Sequence, residues 1–189
     1  MTGQVTDADS ELKPYVCVIV PLSGRLARTI REVRARSLPA GHDVPPHLTV
    51  LPPTPLAGES LDDIVSAADR LAARTPPFRL GCAGVGTFTP VSPVDYLRIS
   101  RGSARIHALH EALTKGLRDA VFRFPFVPHV TLVQSEDDDL RSSIRERMAH
   151  FVGECTIRKL CVVVGSLPDR WQIHHCADLT AANRAPASV

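Results

Sequence analysis

The spacing of apolar residues along the chain switches repeatedly between the period of a strand and the period of a helix. Short β-branched or alternating runs predict strands, and apolar residues three or four positions apart predict helices. The predicted strands cover about 15–22, 44–51, 78–88, 94–100, 126–133, 156–164 and 170–179. The predicted helices begin near residues 26, 60, 103 and 136, and the first ends near 38–39. The order β-α-β-α-β-β-α-β-α-β-β contains hairpins, which favours an α+β fold with antiparallel or mixed sheets.

One short pattern occurs in both halves of the chain. The sequence PHLTV at 46–50 and the sequence PHVTL at 128–132 share proline, histidine, an aliphatic residue, threonine and a second aliphatic residue. A predicted strand contains each copy and a predicted helix follows it. The repeat therefore predicts a duplicated, bilobal fold in which helices flank the sheets and a cleft lies at the centre.

The two repeated strands each have one polar and one aliphatic face. Successive side chains of a strand point to opposite faces, so His47 and Thr49 share a face, and so do His129 and Thr131. The aliphatic residues between them point towards a core. If the polar faces of the two lobes meet, the cleft contains two imidazoles and two hydroxyls.

Two imidazoles and two hydroxyls suit the cleavage of a phosphodiester. One imidazole can remove a proton from the nucleophile while the other protonates the leaving oxygen. Histidine titrates near neutral pH, which allows one copy to be neutral and the other protonated. Thr49 and Thr131 can donate hydrogen bonds to phosphate oxygens. This chemistry requires neither a metal nor another cofactor.

Composition and charge limit the class of protein. The chain has 189 residues and a net charge of +2, from 22 basic and 20 acidic side chains. This balance argues against a long electrostatic track for nucleic acid, so an anion would be bound at a local site. The polar ends predict loose tails at 1–13 and 182–189 around one domain at 14–181. Without a signal-like N-terminus or a long apolar run, we expect a cytoplasmic monomer that does not enter a membrane.

The cysteines and the remaining histidines give no pattern typical of a metal site. The five cysteines are odd in number and form no C-x-x-C pair, so we expect reduced, mostly buried thiols. His174 and His175 are adjacent in a strand and point to opposite faces, which makes them a poor chelating pair. His107 and His110 on the third helix are expected to pack or to face solvent.

Further candidates for substrate contact lie near the second motif. Tyr96 and Arg98 are on the strand at 94–100, and Arg123 precedes the motif. Their side chains could contact phosphate or ribose, and solvated surface positions are an equally good interpretation of the arginines. Trp171 is expected to pack in the last hairpin.

The paired motifs, with the β and α segments between them, resemble the two-histidine phosphoesterases, also called the 2′-5′ RNA ligase family. The resemblance covers about residues 15–180. It implies a bilobal α+β fold with a concave cleft, metal-independent chemistry and hydrolysis of RNA 2′,3′-cyclic phosphates, and some members also ligate RNA through 2′-5′ bonds. By this resemblance, His47 protonates the leaving 3′ oxygen and His129 activates water.

The sequence therefore predicts a phosphodiesterase that acts on an RNA end or a nucleotide with a cyclic phosphate. Many bacterial members have an aromatic residue after the first motif and an arginine after the second, whereas this chain has Pro52 and Gln134. Two alternatives stay open for this reason. One is a hydrolase of a small cyclic phosphate that is not RNA, and the other is a binding module of the same fold without turnover.

Overall fold

The computed structural model describes residues 15–35, 44–56, 60–115, 117, 122–166 and 170–180. The strands are β1 (Tyr15–Pro21), β2 (His47–Pro55), β3 (Phe78–Thr87), β4 (Val94–Arg101), β5 (His129–Gln134), β6 (Val152–Ile157), β7 (Lys159–Ser166) and β8 (Arg170–Asp178). The helices are α1 (Gly24–Arg34), α2 (Leu61–Arg74), α3 (Ser103–Thr114) and α4 (Asp138–Met148).

The strands form two sheets, one for each lobe. The first sheet has the order β2-β1-β7-β8 and the second has the order β5-β4-β3-β6. All ladders between the described strands are antiparallel. The predicted bilobal α+β fold is confirmed, and the sheets are antiparallel rather than mixed.

Each motif strand lies at the edge of its sheet, and the two edges meet. β2 is the outer strand of the first sheet, β5 is the outer strand of the second, and the two strands contact each other. The helices connect the lobes, because α1 packs against β5 and β6 while α3 packs against β2. The fold therefore places both motifs at the junction of the sheets, with a helix from the other half beside each.

Local sequence explains where two of the helices begin. The Ser60 hydroxyl accepts a hydrogen bond from the Asp63 backbone N–H, and the Asp63 carboxylate reaches back to Ser60, which forms a capping box for α2. The Asp137 carboxylate accepts from the Leu140 N–H at 3.0 Å and caps α4. Acidic residues in the first turn also complement the helix dipole.

The structure differs from the sequence prediction mainly after α4. The predicted strand at 156–164 is two strands, β6 and β7, which break at Arg158 and belong to different sheets. The sequence across this break is Ile157-Arg158-Lys159-Leu160, which has no glycine or proline to mark the change of sheet. The predicted tails at 1–13 and 182–189, the predicted end of the first helix and part of the turn before β8 lie outside the described residues. No helix in the described part of the chain is long and apolar enough to cross a membrane.

The expectation that all five cysteines are reduced is wrong for one pair. Cys161 on β7 and Cys176 on β8 are register partners and form a disulfide with a Cα–Cα distance of 4.1 Å. Opposite residues on antiparallel strands lie close enough for this bond, although they are 15 positions apart in sequence. Cys17, Cys82 and Cys155 are free and buried, as expected.

This disulfide is expected to stabilise the edge strand β8. Cys176→Ser should lower the free energy of unfolding by about 3 kcal/mol, because the bond closes a loop of this length in the unfolded chain. Urea unfolding of the oxidised protein and of the variant measures the difference. A reducing agent should remove that difference, and equal stability of the two oxidised proteins would contradict the prediction.

Candidate functional site

The two motif strands have the same burial pattern. The histidine and the threonine are half-buried in both β2 and β5, and the aliphatic residues beside them are fully buried. Leu48, Val50, Val130 and Leu132 each have 0% exposed surface. The predicted division between a polar and an aliphatic face is therefore confirmed in both strands.

Both motif histidines are held in the same way by the chain just before them. The carbonyl two residues earlier accepts a hydrogen bond from Nδ1, at 2.8 Å from Pro45 to His47 and at 2.7 Å from Val127 to His129. A carbonyl can only accept, so Nδ1 has the proton in both rings. The Nε2 atom of each imidazole is then the atom that can take up or release a proton at the site.

Burial lowers the pKa of both imidazoles. The pKa of His47 is lowered to about 4, first by burial and then by the positive charge of Arg34, and His129 contributes a smaller effect. Burial also lowers the pKa of His129, while its hydrogen bond to Val127 acts in the opposite direction.

Arg34 is a site residue that the sequence did not predict. It lies in the last turn of α1, and its Nε and Nη2 donate hydrogen bonds to the Thr131 carbonyl at 3.1 and 2.6 Å. The guanidinium therefore binds a backbone carbonyl of β5, the edge strand that contains the second motif. Arg34 thereby joins the helix of one half to the motif of the other.

His110 makes the corresponding contact in the other direction. It lies on α3, and its Nδ1 donates a hydrogen bond to the Val50 carbonyl of β2 at 2.8 Å. Its ring stacks on Phe126 with 3.8 Å between the centroids and 9° between the planes. His110 therefore connects the first motif strand with the segment that leads into the second.

The residues predicted on β4 lie beside the second motif. Tyr96 is the register partner of Thr131 and Arg98 is the register partner of His129, so their side chains share a face with that motif. The Tyr96 ring is 5.3 Å from the His129 ring, and Phe88 is 4.9 Å from it. Arg98 is exposed. The roles of Tyr96 and Arg98 in substrate contact stay predictions.

The Tyr96 ring occupies the space over a glycine. A Cβ atom at Gly86, its register partner on β3, would lie 2.6 to 2.8 Å from three atoms at the end of the ring. The glycine thus leaves room for the Tyr96 ring, which contacts both Phe88 and His129.

Gly86→Ala is expected to displace the Tyr96 ring and to destabilise the protein by about 1–3 kcal/mol. The ring contacts His129, so the NMR signals of the His129 imidazole should shift as well. Urea unfolding and NMR spectra measure the two effects. In a Tyr96→Ala background the same alanine should cost much less, and an equal cost in both backgrounds would mean that the ring is not the cause.

A cavity of about 660 Å³ lies beside the two motifs. Thr49 of the first motif and His129 of the second both line it. The rest of its lining consists of Pro52, Pro53, Phe88, Val91, Ser92, His110, Phe122, Arg123, Phe124, Pro125, Phe126 and Val127. The sequence placed no aromatic group at the site except Tyr96, whereas the structure brings four phenylalanines to it.

The predicted site residues thus come together from three neighbouring strands. His47 and Thr49 lie on β2, His129 and Thr131 on β5, and Tyr96 and Arg98 on β4. Arg34 and His110 are added by the helices α1 and α3, Phe88 by the turn after β3, and the other three phenylalanines by the segment just before the second motif. Among the residues that the structure describes, no three metal-ligating side chains form a cluster.

Comparison with protein families agrees with the repeated motif. The model of the 2′-5′ RNA ligase superfamily matches residues 22–167. A protein of Bacillus cytotoxicus that bears the name "Putative phosphoesterase" is 32% identical over 133 residues, which are 69% of this chain and 77% of the relative.

Comparison with solved structures agrees with the fold. The crystal structure of Escherichia coli LigT with NADP+ has a TM-score of 0.65 at 19% identity and covers 88% of this chain and 98% of its own. TT0787 of Thermus thermophilus has a TM-score of 0.65 at 20% identity and covers 87% and 97%. LigT has also been solved with 3′-AMP and with ATP. At these identities the similarity establishes the fold.

Proposed function

This chain belongs to the 2′-5′ RNA ligase superfamily, a superfamily of phosphoesterases, and we propose that it hydrolyses the 2′,3′-cyclic phosphate of a nucleotide or an RNA end without a metal. The observation that supports this proposal best is the duplicated geometry of His47 and His129. Each ring has Nδ1 bonded to a carbonyl and Nε2 left for proton transfer.

In the proposed reaction the two imidazoles act on opposite sides of the phosphorus atom. The Nε2 of one ring removes a proton from water as the water oxygen attacks phosphorus. The Nε2–H of the other ring protonates the ribose oxygen as its bond to phosphorus breaks. The products are a phosphomonoester and a free ribose hydroxyl, and each imidazole ends in the protonation state that the other had. Family resemblance assigns the acid to His47 and the base to His129.

The neighbouring groups support the same reaction. Neither the Thr49 nor the Thr131 hydroxyl is hydrogen-bonded to another group of the described residues, so both can donate to the non-bridging oxygens of a phosphate. The positive charge of Arg34 acts on the same site. The similarity to LigT, which has been solved with 3′-AMP and with ATP, supports a nucleotide as the substrate.

The direct test is an assay of the purified protein with 2′,3′-cyclic mononucleotides, with RNA that has a cyclic phosphate end, and with glycerol 1,2-cyclic phosphate, which has no nucleoside. EDTA is present throughout, and the product is identified by phosphorus NMR. Hydrolysis of either of the first two substrates supports the proposal. Binding without turnover would indicate a module without catalysis, and turnover restricted to cyclic phosphates without a nucleoside would contradict the nucleotide substrate.

The pKa shifts predict an acidic optimum for kcat/KM. The active free enzyme has one proton shared between the two imidazoles, and both pKa values lie below the ordinary value of histidine. This form is therefore most populated above pH 4 and below about pH 6.5. At higher pH, kcat/KM should fall roughly tenfold per pH unit. The optimum of kcat should lie higher, because a bound phosphate favours the imidazolium. A kcat/KM that stays constant from pH 5 to pH 8 would contradict the prediction.

A further inference from the structure

The cavity beside His129 is lined mainly by aromatic and proline side chains. We call the four phenylalanines that line it the aromatic wall: Phe88, Phe122, Phe124 and Phe126. Its volume lies within the range of sites that bind small organic molecules and is far larger than a water molecule needs. The attacking water therefore does not account for the cavity, which suits an organic group attached to the reacting phosphate.

Two rings of the aromatic wall, Phe126 and Phe88, are fixed relative to the motifs. Phe126 stacks on His110, which is hydrogen-bonded to β2, and His129 follows Phe126 by three residues. Phe88 packs edge-on against the His129 ring. A group that lies against these two rings is thus next to the His129 imidazole.

Two members of the wall have much of their surface open to solvent. Phe124 is 53% exposed and Phe122 is 37% exposed, although both line the cavity. Arg123 places its guanidinium 5.2 Å from the centre of the Phe124 ring. Exposed aromatic rings next to a cation are typical of sites that bind the bases of single-stranded nucleic acids.

The chemistry of the lining decides between a base and an aliphatic chain. Its apolar side chains are mostly phenylalanine and proline, and the aliphatic ones are Val91 and Val127. Flat π-systems stack on phenylalanine rings and gain more from them than from aliphatic side chains of the same area. The polar lining residues, such as Ser92 and Arg123, can accommodate the polar edge of a base.

We propose that this cavity is a nucleobase site in which the base of the substrate stacks on Phe124, and this inference rests on the phosphodiesterase function proposed above. The aromatic wall supplies the stacking surface that Pro52 cannot supply after the first motif. The stacking residues come from the segment before the second motif instead. The site selects cyclic phosphates that have a base over those that have none.

The first experiment compares two substrates with the same reacting group. One is 2′,3′-cyclic AMP, and the other is glycerol 1,2-cyclic phosphate, which has no base. Phe124→Ala should raise KM for the nucleotide by roughly 5- to 100-fold, the range expected for one stacked base. Its kinetics with the glycerol compound should not change. Phe124→Trp should retain the low KM, and Phe124→Leu, which keeps an apolar side chain without a π face, should lose most of the effect of the ring.

Ile173→Ala is the matched control, because it also removes an exposed apolar side chain, from β8 on the other sheet. It should leave both substrates unaffected. Equal kcat/KM of the wild type for the two substrates, together with unchanged kinetics of Phe124→Ala, would overturn the nucleobase site and leave the phosphodiesterase function intact. A Phe124→Leu variant that binds the nucleotide as well as the wild type would also overturn it.

A binding experiment separates this inference from the function on which it rests. Titration calorimetry of the His47→Ala variant with 3′-AMP and with inorganic phosphate requires no turnover. Tighter binding of 3′-AMP that Phe124→Ala abolishes supports the base site even if neither cyclic phosphate is hydrolysed. Equal binding of 3′-AMP with and without the Phe124 ring would overturn the base site whatever the activity.

Discussion

Replacing either motif histidine with alanine is expected to lower kcat for a 2′,3′-cyclic nucleotide by about 10²- to 10⁴-fold, because each ring performs one of the two proton transfers. The His47→Ala/His129→Ala double variant should be little worse than either single variant, since the two groups act in one concerted step. Steady-state kinetics in EDTA measures these changes. His150→Ala, at an exposed position after α4, is the control and should be fully active.

The choice of substrate can also identify the acid. The nitrophenolate group of a nitrophenyl phosphodiester leaves without being protonated. The variant that lacks the acid should therefore recover most of its activity on this substrate. The variant that lacks the base should not recover. Family resemblance predicts recovery in His47→Ala, and recovery in His129→Ala instead would reverse the two roles. Full activity of both alanine variants on the cyclic nucleotide would contradict the two-histidine mechanism.

Arg34→Met is expected to have the second largest effect, because it removes both a charge and two hydrogen bonds. Loss of the charge should raise the pKa of His47 from about 4 towards the ordinary value of histidine. Loss of the bonds to the Thr131 carbonyl should lower the free energy of unfolding by about 2–3 kcal/mol. We also expect kcat/KM to fall by roughly 10- to 100-fold, since a small displacement of the second motif misaligns the site.

Arg34→Lys separates the two contributions. The lysine keeps the positive charge but lacks the planar fork that donates two bonds to one carbonyl. The pKa of His47 should therefore stay low in this variant while stability decreases. Histidine NMR titrations and urea unfolding report the two effects separately, and Arg31→Met, exposed on the same helix, is the control. An unchanged His47 titration in Arg34→Met would show that the charge of Arg34 does not act on the imidazole.

Sequence periodicity predicts which motif side chains share a face of their strand, but it does not predict that Arg34 lies at the site. The two-residue alternation places His47 and Thr49 on one face whatever the tertiary structure, because it is a property of the strand. Arg34 belongs to a series of arginines on α1, and the sequence alone gives it the pattern of a solvent-exposed helix face. Only the packing of α1 on the opposite sheet distinguishes it from Arg31.

The aromatic wall and the disulfide also depend on tertiary packing, which is why the sequence did not predict them. Phe124 and Phe126 resemble the entry of a strand in sequence, and only the structure shows that Phe126 stacks on His110 of α3 and that both rings line the cavity. The pairing of Cys161 with Cys176 depends on the register of β7 and β8. Register is set by long-range packing of the sheet, which a single sequence does not display.

The order of the strands in the two sheets has a consequence for how the chain folds. The second sheet is built from one continuous stretch, β3 to β6, whereas the first sheet combines β1 and β2 with β7 and β8 from the other end of the described chain. Both motifs end by residue 132, so all proposed catalytic residues precede β7 and β8, the strands that complete the first sheet. During synthesis the second sheet can assemble on its own strands, while β1 must wait for β7 before it has two neighbours. A chain truncated after β6 would thus contain every proposed catalytic group and the complete second sheet, but only two of the four strands of the first sheet.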